Sequence, residues 1–233
     1  MTRRQPFRPA SAALAPLLLV AAAAIGPQAA LAAQSSPLAP AAESQLLAIQ
    51  TDWAKTNYQT SDEDRKSAEF EALAQRADAF AKTNPTRAEP LVWHGIVLSS
   101  LAGAKGGLGA LKVAKQAREK LEAAMKIDPS ALDGSAYTSL GTLYYKVPGF
   151  PVGFGDHDKA RELLQSALKL NPNGIDPNYF FGEFLYEEKE YGEAVKHLSR
   201  ALAAAPRPNR ELADKGRRAE IEALMAKAKA KLG

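Results

Sequence analysis

The chain has 233 residues, of which 46% are apolar and 24% are charged, and it contains no cysteine. This composition is typical of a globular protein with a substantial core, and it excludes disulfide bonds, thiol catalysis and lipid attachment through cysteine. The formal net charge is +4, but Arg3, Arg4 and Arg8 all lie in the first ten positions. Without these three arginines the charge is about +1, so the sequence indicates no nucleic-acid-binding surface.

Residues 1–32 follow the three-part pattern of a secretory signal peptide. The arginines come first, residues 11–25 are almost wholly apolar, and Ala30-Leu31-Ala32 is a pattern that signal peptidase could cut before Ala33. The apolar run is short for a membrane span, although an uncleaved anchor is the alternative. We therefore expect export to a bacterial periplasm, by the Sec or the twin-arginine route. A flexible leader over residues 33–42 and a single helical domain over residues 43–233 are expected to follow.

The remaining chain predicts helices only. Leu46, Ile49 and Trp53 indicate a first helix, and apolar residues at helical spacing from Phe70 to Ala81 indicate a second. Later helical stretches end at prolines separated by 44, 43 and 34 residues, and the last separation is the period of a tetratricopeptide repeat. These prolines are Pro85, Pro129, Pro172 and Pro206.

The best repeat spans Asp176 to Pro206. Gly182 and Ala194 are predicted to let two helices approach closely, with Leu198 filling the gap between them. Asp176 is predicted to cap the first helix, with Pro177 at its first position. Two upstream repeats carry insertions, and a final amphipathic helix near residues 221–232 is predicted to cap the array. The fold class is therefore all-α, a solenoid of helical hairpins with roughly nine helices.

Aromatic residues are concentrated in one part of the sequence. Eleven of the seventeen lie between Tyr137 and Tyr191. The repeat register turns a set of first-helix side chains towards one concave groove, where tyrosine suits recognition because it offers both area and a hydroxyl. This predicted groove set comprises Thr138, Thr142, Tyr145, Tyr179, Glu183 and Tyr186. The alternative is that several aromatics fill the gaps between helices.

The segment between Val147 and Asp156 is rich in proline and glycine and contains Phe150 and Phe154. Two phenylalanines in a loop need burial or a partner, so we expect either a rigid lip beside the groove or a loop packed on its own repeat. Asp156-His157-Asp158 could supply metal ligands, but the start of a helix explains it better. The sequence predicts no metal, no cofactor and no catalytic residue, because it contains no recognised nucleotide-binding or hydrolase motif.

Over most of Glu89 to Pro206, the chain resembles a tetratricopeptide-repeat protein at the repeat positions described above. Residues 144–156 and 173–180, together with Pro206-Arg207-Pro208, are similar to the T component of TRAP (tripartite ATP-independent periplasmic) transporters. That resemblance implies a helical periplasmic accessory protein that binds the solute-binding subunit, associates with itself and offers a path for an apolar ligand. The family often uses a lipidated cysteine, and this chain has none.

Three functions follow from this interpretation. The first is a non-enzymatic exported scaffold whose groove binds a protein partner, as a periplasmic accessory of a TRAP-type transporter. The second is a module that binds a small molecule or lipid in an aromatic-lined cavity. The third is an enzyme, which ranks far below the others because no catalytic constellation is present. A large complementary interface would favour the scaffold, and a closed aromatic pocket would favour the small-molecule module. A cluster of perturbed titratable groups in a cleft would favour the enzyme.

Overall fold

The computed structural model describes residues 37–233, and the predicted signal peptide lies outside this range. Nine α-helices follow one another in the described residues, with no strand among them, and this confirms the predicted all-α solenoid. Their bounds are α1 Pro40–Gln59, α2 Glu63–Thr83, α3 Ala88–Lys105, α4 Gly107–Ile127, α5 Ala131–Lys146, α6 His157–Leu170, α7 Ile175–Glu187, α8 Tyr191–Ala203 and α9 Glu211–Lys229. Helix α1 thus begins inside the segment that was predicted as a leader.

Local sequence signals set most helix boundaries. Helices α2, α4, α6 and α8 each end two or three residues before one of the four spaced prolines, because proline cannot continue a helix. Asp62 and Asp156 cap α2 and α6, accepting hydrogen bonds from the amides of Arg65 and Lys159 at 2.7 and 2.9 Å. Between α3 and α4 the chain reverses at Gly106, whose φ of 61° suits a residue without a side chain.

The helices pair as hairpins, α1 with α2, α3 with α4, α5 with α6, and α7 with α8. Small residues sit where paired helices cross. A Cβ atom added at Gly182 would lie 2.9 Å from Leu198 Cγ, so α7 and α8 approach closely there, as predicted. Gly95 and Gly141 occupy the same position in α3 and α5, facing Leu121 and Leu164.

The apolar core runs continuously along the array. One cluster joins α1 to α5, a second joins α5 to α8, and a third joins α7 and α8 to Ile221 of α9. Helix α9 also returns to the start of the array, since Ala213 belongs to the first cluster and Gly216 lies against the ring of Tyr58. The predicted capping helix therefore does more than cover the last repeat, because it joins the two ends of the solenoid. None of the described helices is both long enough and apolar enough to span a membrane.

Candidate functional site: the cavity on the concave face

The return of α9 to α1 leaves an open cavity of about 770 Å³ on the concave face. The first helix of every hairpin contributes to its wall, and the remaining wall comes from the turn before α7, the end of α8, the segment between α8 and α9, and Arg217 of α9. Such a volume lies within the range of ordinary ligand pockets. The lining residues used below are Trp53, Trp93, Ser99, Ser100, Ser135, Thr138, Ser139, Thr142, Asp133, Asp176, Phe180, Arg200, Arg207, Arg210 and Arg217.

The aromatic part of the wall is built from the two tryptophans of the chain. Trp53 of α1 and Trp93 of α3 pack edge to face, with ring centroids 5.9 Å apart. The indole N–H of Trp53 donates to Ser100 Oγ at 2.8 Å, and Ser100 in turn donates to the carbonyl of Ile96. Both rings are held in place and buried, but their edges remain part of the cavity surface.

A second part of the wall carries hydroxyl groups from α3 and α5. Ser99 and Thr142 donate to the carbonyls of Gly95 and Thr138, one helical turn back, at 2.8 Å each. Each of these hydroxyl oxygens can still accept a hydrogen bond from a ligand. The hydroxyl of Ser139 makes no hydrogen bond within the described residues, so it can both donate and accept.

The third part of the wall is cationic, and Arg217 of α9 is its most buried member. The guanidinium carbon of Arg217 lies 4.4 Å from the ring centroid of Tyr179 and 4.5 Å from that of Phe180. Its Nε donates to Asp176 at 2.9 Å, and its Nη1 donates to Glu220 at 2.7 Å. Glu220 also accepts from the hydroxyl of Tyr58 at 3.3 Å, so Arg217 connects α7, α9 and α1.

Asp176 has a different role from the predicted one. Helix α7 begins at Ile175 with Gly174 in the capping position, so the prediction of Asp176 as the cap is wrong. Its carboxylate instead accepts hydrogen bonds from Arg217 and from Arg207 Nη1, the latter at 2.5 Å. Burial by itself raises the pKa of Asp176, but the two guanidinium groups outweigh burial and hold the pKa at about 2. The carboxylate is therefore ionised at neutral pH.

The predicted groove set divides in the structure. Thr138 and Thr142 line the cavity, whereas Tyr145, Tyr179, Glu183 and Tyr186 do not. Tyr145 was expected to project onto the groove surface, but it is 5% exposed and packs edge to face on Phe184. Its hydroxyl donates to Glu183 at 2.6 Å, and burial followed by the Glu183 charge raises its pKa well above the usual value.

Tyr179 and Tyr186 also have packing roles. Tyr179 is buried between Phe180 and Arg217, where burial is the main cause that raises the pKa of its hydroxyl. Tyr186 is half-buried against Tyr191, with ring centroids 5.4 Å apart. The expectation that Tyr145 and Tyr179 project from the surface is therefore wrong. The curvature of the array brings α5 and α7 into direct contact, and their large side chains fill the space between them.

The loop between α5 and α6 contains Phe150 and Phe154, which were predicted to flank the groove. No residue of this loop lines the cavity. The amide of Gly155 donates to the carbonyl of Pro148 at 2.9 Å, which ties the two ends of the loop together. Phe154 packs on Tyr144 with centroids 5.5 Å apart and lies 4.4 Å from the guanidinium of Arg118. Phe150 is 93% exposed. The loop thus packs on its own repeat through Phe154 and exposes Phe150.

Truncating these two phenylalanines is expected to give opposite results. Phe154→Ala removes a ring that packs on Tyr144 and Arg118, so we expect a loss of about 2 kcal/mol in the free energy of unfolding. Phe150→Ala removes an exposed ring, and the change should stay within about 0.5 kcal/mol. Urea unfolding of both variants measures the difference. Equal losses would contradict the packed-loop geometry.

The residues that sequence reasoning missed are Trp53, Trp93, Phe180 and Arg210. The two tryptophans gave one signal, their scarcity, since the chain has only two and both line the cavity. Arg210 gave no signal, because it lies 117 positions after Trp93 and approaches it only through the return of α9. No group of three or more potential metal ligands occurs within residues 37–233.

Comparison with known proteins gives matches to solved structures and to one family model. Two crystal structures of MamA are 20% and 19% identical, with TM-scores of 0.42 and 0.41. They match 73% and 81% of this chain, and 92% of each of those chains. The crystal structure of TTC0263, a thermophilic TPR protein in Thermus thermophilus, is 18% identical, with a TM-score of 0.40. That match covers 67% of this chain and 92% of the other.

No curated protein sequence matches the chain. A family model described as tetratricopeptide repeat matches residues 152–228, which span the end of the loop after α5 and nearly all of the four helices that follow. This match includes the hairpin of α7 and α8, where Gly182, Ala194 and Leu198 pack as the repeat pattern requires. Residues 152–228 are therefore a tetratricopeptide-repeat segment.

Proposed function

We propose that this protein is a non-enzymatic exported scaffold that binds an extended segment of a protein partner in the concave cavity. The observation that carries the proposal is the cavity itself, because each hairpin contributes its first helix to one concave wall. Proteins built from tetratricopeptide repeats bind protein partners in general, and the repeat match supports the same role here.

The chemistry of the wall suits an extended peptide. Hydroxyls from α3 and α5 offer acceptors to the backbone amides of a bound segment, and Ser139 also offers a donor. Trp53 and Trp93 offer apolar surface for side chains in the same cavity. Peptide recognition combines these two elements, since hydrogen bonds fix the backbone and apolar contacts supply affinity.

We propose further that the partner is the solute-binding subunit of a TRAP-type transporter and that the protein acts in the periplasm. This finer assignment is supported by the sequence alone, through the signal-peptide pattern of residues 1–32 and the runs at 144–156 and 173–180. N-terminal sequencing of the exported protein tests the location, with Ala33 as the expected first residue. Self-association, which the same resemblance implies, is tested by sedimentation.

Binding of a small molecule or lipid is the second candidate. It is favoured by the volume of about 770 Å³ and by the aromatic end of the cavity. Native mass spectrometry of the purified protein distinguishes small-molecule binding from peptide binding alone, because a retained small molecule adds mass that disappears after denaturation.

Filling the cavity is expected to weaken partner binding strongly without unfolding the protein. Ser139→Phe places a large ring in the cavity at a position whose hydroxyl makes no hydrogen bond in the described residues. We expect at least a tenfold loss of affinity, since the ring and a bound segment would need the same space. Ser44→Phe is the matched control, because Ser44 is exposed on α1 away from the cavity.

The measurement is capture of proteins from periplasmic extract by the parent chain and both variants, followed by titration of the captured partner. The proposal predicts a partner that the parent and Ser44→Phe retain and Ser139→Phe loses. Equal capture by all three would place the interface elsewhere. Unchanged thermal melting of Ser139→Phe is the check that the fold is intact.

A further inference from the structure

The loop between α5 and α6 ends in an apolar tip, residues 148–152, and all five residues of this tip are exposed. Phe150 is 93% exposed and Val152 is 61% exposed, the two largest values among the exposed large apolar residues that the structure describes. Two prolines and a glycine make up the rest of the tip, and residues 147–155 include no charged side chain. A contiguous apolar patch of this kind indicates a surface that contacts something outside the chain.

The tip has a defined shape. The amides of Val152 and Gly153 both donate to the carbonyl of Gly149, at 3.1 and 3.0 Å, so the chain turns tightly around Phe150. Beneath the tip, the ring of Phe154 packs on the rest of the repeat. The exposure of Phe150 is therefore built into the loop, and binding through it requires little ordering of the chain.

Helix α4 forms one border of this loop. The guanidinium carbon of Arg118 lies 4.4 Å from the ring centroid of Phe154. A Cβ atom added at Gly153 would lie 3.3 Å from Leu111 Cδ1. Leu111, Lys115 and Arg118 share one face of α4, because they are four and three positions apart. The face of α4 that contacts the loop thus carries Lys115 between its two points of contact.

This border has unpaired positive charge. Helix α4 contains five basic residues against Glu119 and Glu122 as its acids. Arg118 pairs with Glu122 at 3.6 Å. Lys112 and Lys115 are exposed, and neither forms an ion pair with another residue in the range 37–233. Their ammonium groups are therefore available to an anionic surface beside the apolar tip.

The other border of the loop is the start of α6, where the acids have partners of their own. Asp156 accepts a hydrogen bond from the amide of Lys159 as the helix cap, and Asp158 lies in the first turn. Both carboxylates interact favourably with the positive end of the helix dipole. The cations without a partner next to the loop thus lie on its α4 side.

We propose that residues 148–152, together with Lys112 and Lys115, dock on a lipid bilayer that contains anionic lipid. Phe150 and Val152 enter the boundary between headgroups and acyl chains, while the two ammonium groups lie at the level of the lipid phosphates. Lysine suits this role because its flexible stem can follow phosphates that have no fixed position. This surface shares no residue with the cavity lining, so the inference is independent of the proposed function.

The first test places a dye at the tip of the purified full chain. The chain has no cysteine, so Val152→Cys provides one position for an environment-sensitive dye, and Ala226→Cys provides the control on the exposed side of α9. Vesicles contain phosphatidylcholine and phosphatidylglycerol in about equal parts, with phosphatidylcholine alone as the neutral surface. We expect a blue shift at position 152 with the anionic vesicles and none at position 226.

A second test removes the apolar contact. Phe150→Ser is expected to weaken binding to the anionic vesicles by about tenfold, because a whole apolar side chain no longer enters the interface. Leu232→Ser is the matched control, since Leu232 is 59% exposed at the end of the chain, and it should bind as the parent does. Co-sedimentation with vesicles measures both. Both variants should melt at the parent temperature, because neither side chain is buried.

A third test removes the charges. Lys112→Gln with Lys115→Gln is expected to weaken vesicle binding by about tenfold, and the binding of the parent should decrease as salt is added, because exposed charges are screened. Lys227→Gln with Lys229→Gln removes the same charge from exposed positions on α9 and should leave binding unchanged.

Absence of a shift at position 152, or equal losses for the two members of either matched pair, would overturn the inference. A shift at position 226 larger than that at 152 would assign the contact to the end of α9 instead. Loss of a captured protein by Phe150→Ser, with no vesicle binding by the parent, would assign the tip to a protein partner. Ser139→Phe should bind vesicles as the parent does, so failure of the proposed function leaves this inference standing.

Discussion

Replacing Gly182 by leucine is expected to lower the free energy of unfolding by about 3 kcal/mol, near the upper end of overpacking effects. Even the first added carbon would lie 2.9 Å from Leu198 Cγ and 3.4 Å from the carbonyl oxygen of Ala194. Leu198 is fully buried, so α7 and α8 must separate to admit a larger side chain. Thermal and urea unfolding measure the loss.

The control for this substitution is Lys229→Ala, which changes an exposed side chain at the end of α9. Its effect should stay within about 0.5 kcal/mol. Alanine at the equivalent glycines extends the test, because added Cβ atoms at Gly95 and Gly141 come within 2.6 and 2.7 Å of Leu121 and Leu164. If the Gly182 and Lys229 variants melt at the same temperature, the helix crossing at Gly182 is placed incorrectly.

Arg217→Met is expected to cost about 3 kcal/mol, because it removes the one cation that pairs with Glu220 in the described residues and one of the two that pair with Asp176. Arg217 is 7% exposed and holds Asp176 and Glu220 while its guanidinium lies against Tyr179 and Phe180. Methionine can fill much of the same volume, so the loss reports on charge rather than on a cavity. Asp176 retains Arg207, which limits the effect to this magnitude.

Arg65→Met is the matched control for Arg217. Its pair with Glu69 is exposed on α2, and exposed pairs contribute about 0.5 kcal/mol or less. Chemical denaturation of both variants gives the comparison. A loss for Arg217→Met no larger than for Arg65→Met would be inconsistent with a closed array held together by this network.

This network connects the two ends of the array across the cavity. Arg217 joins α7 to α9, and Glu220 joins α9 to Tyr58 of α1, so the first and last hairpins are connected across the concave face. An open solenoid can flex along its length, since each repeat contacts only its neighbours. We expect contact between the two ends to restrict that motion.

The sequence by itself determined the helices and their pairing. Prolines at 85, 129, 172 and 206 mark where helices end, because proline cannot donate the next backbone hydrogen bond. Glycine at 95, 141 and 182 marks where helices cross, because any side chain there would meet a leucine of the partner helix. These signals are local or repeat at a fixed period, so they can be read without knowing the curvature of the array.

Only the tertiary structure decided which side chains form the site. Thr138 and Thr142 line the cavity, but the contact between α5 and α7 buried Tyr145, and the packing of α9 buried Tyr179. The cationic end of the cavity depends on the return of α9 to α1, which brings Arg210 over Trp93. The physical reason is that small rotations between successive hairpins add up along the chain. The sum of these rotations determines whether the last helix contacts the first, and no local sequence pattern encodes that sum.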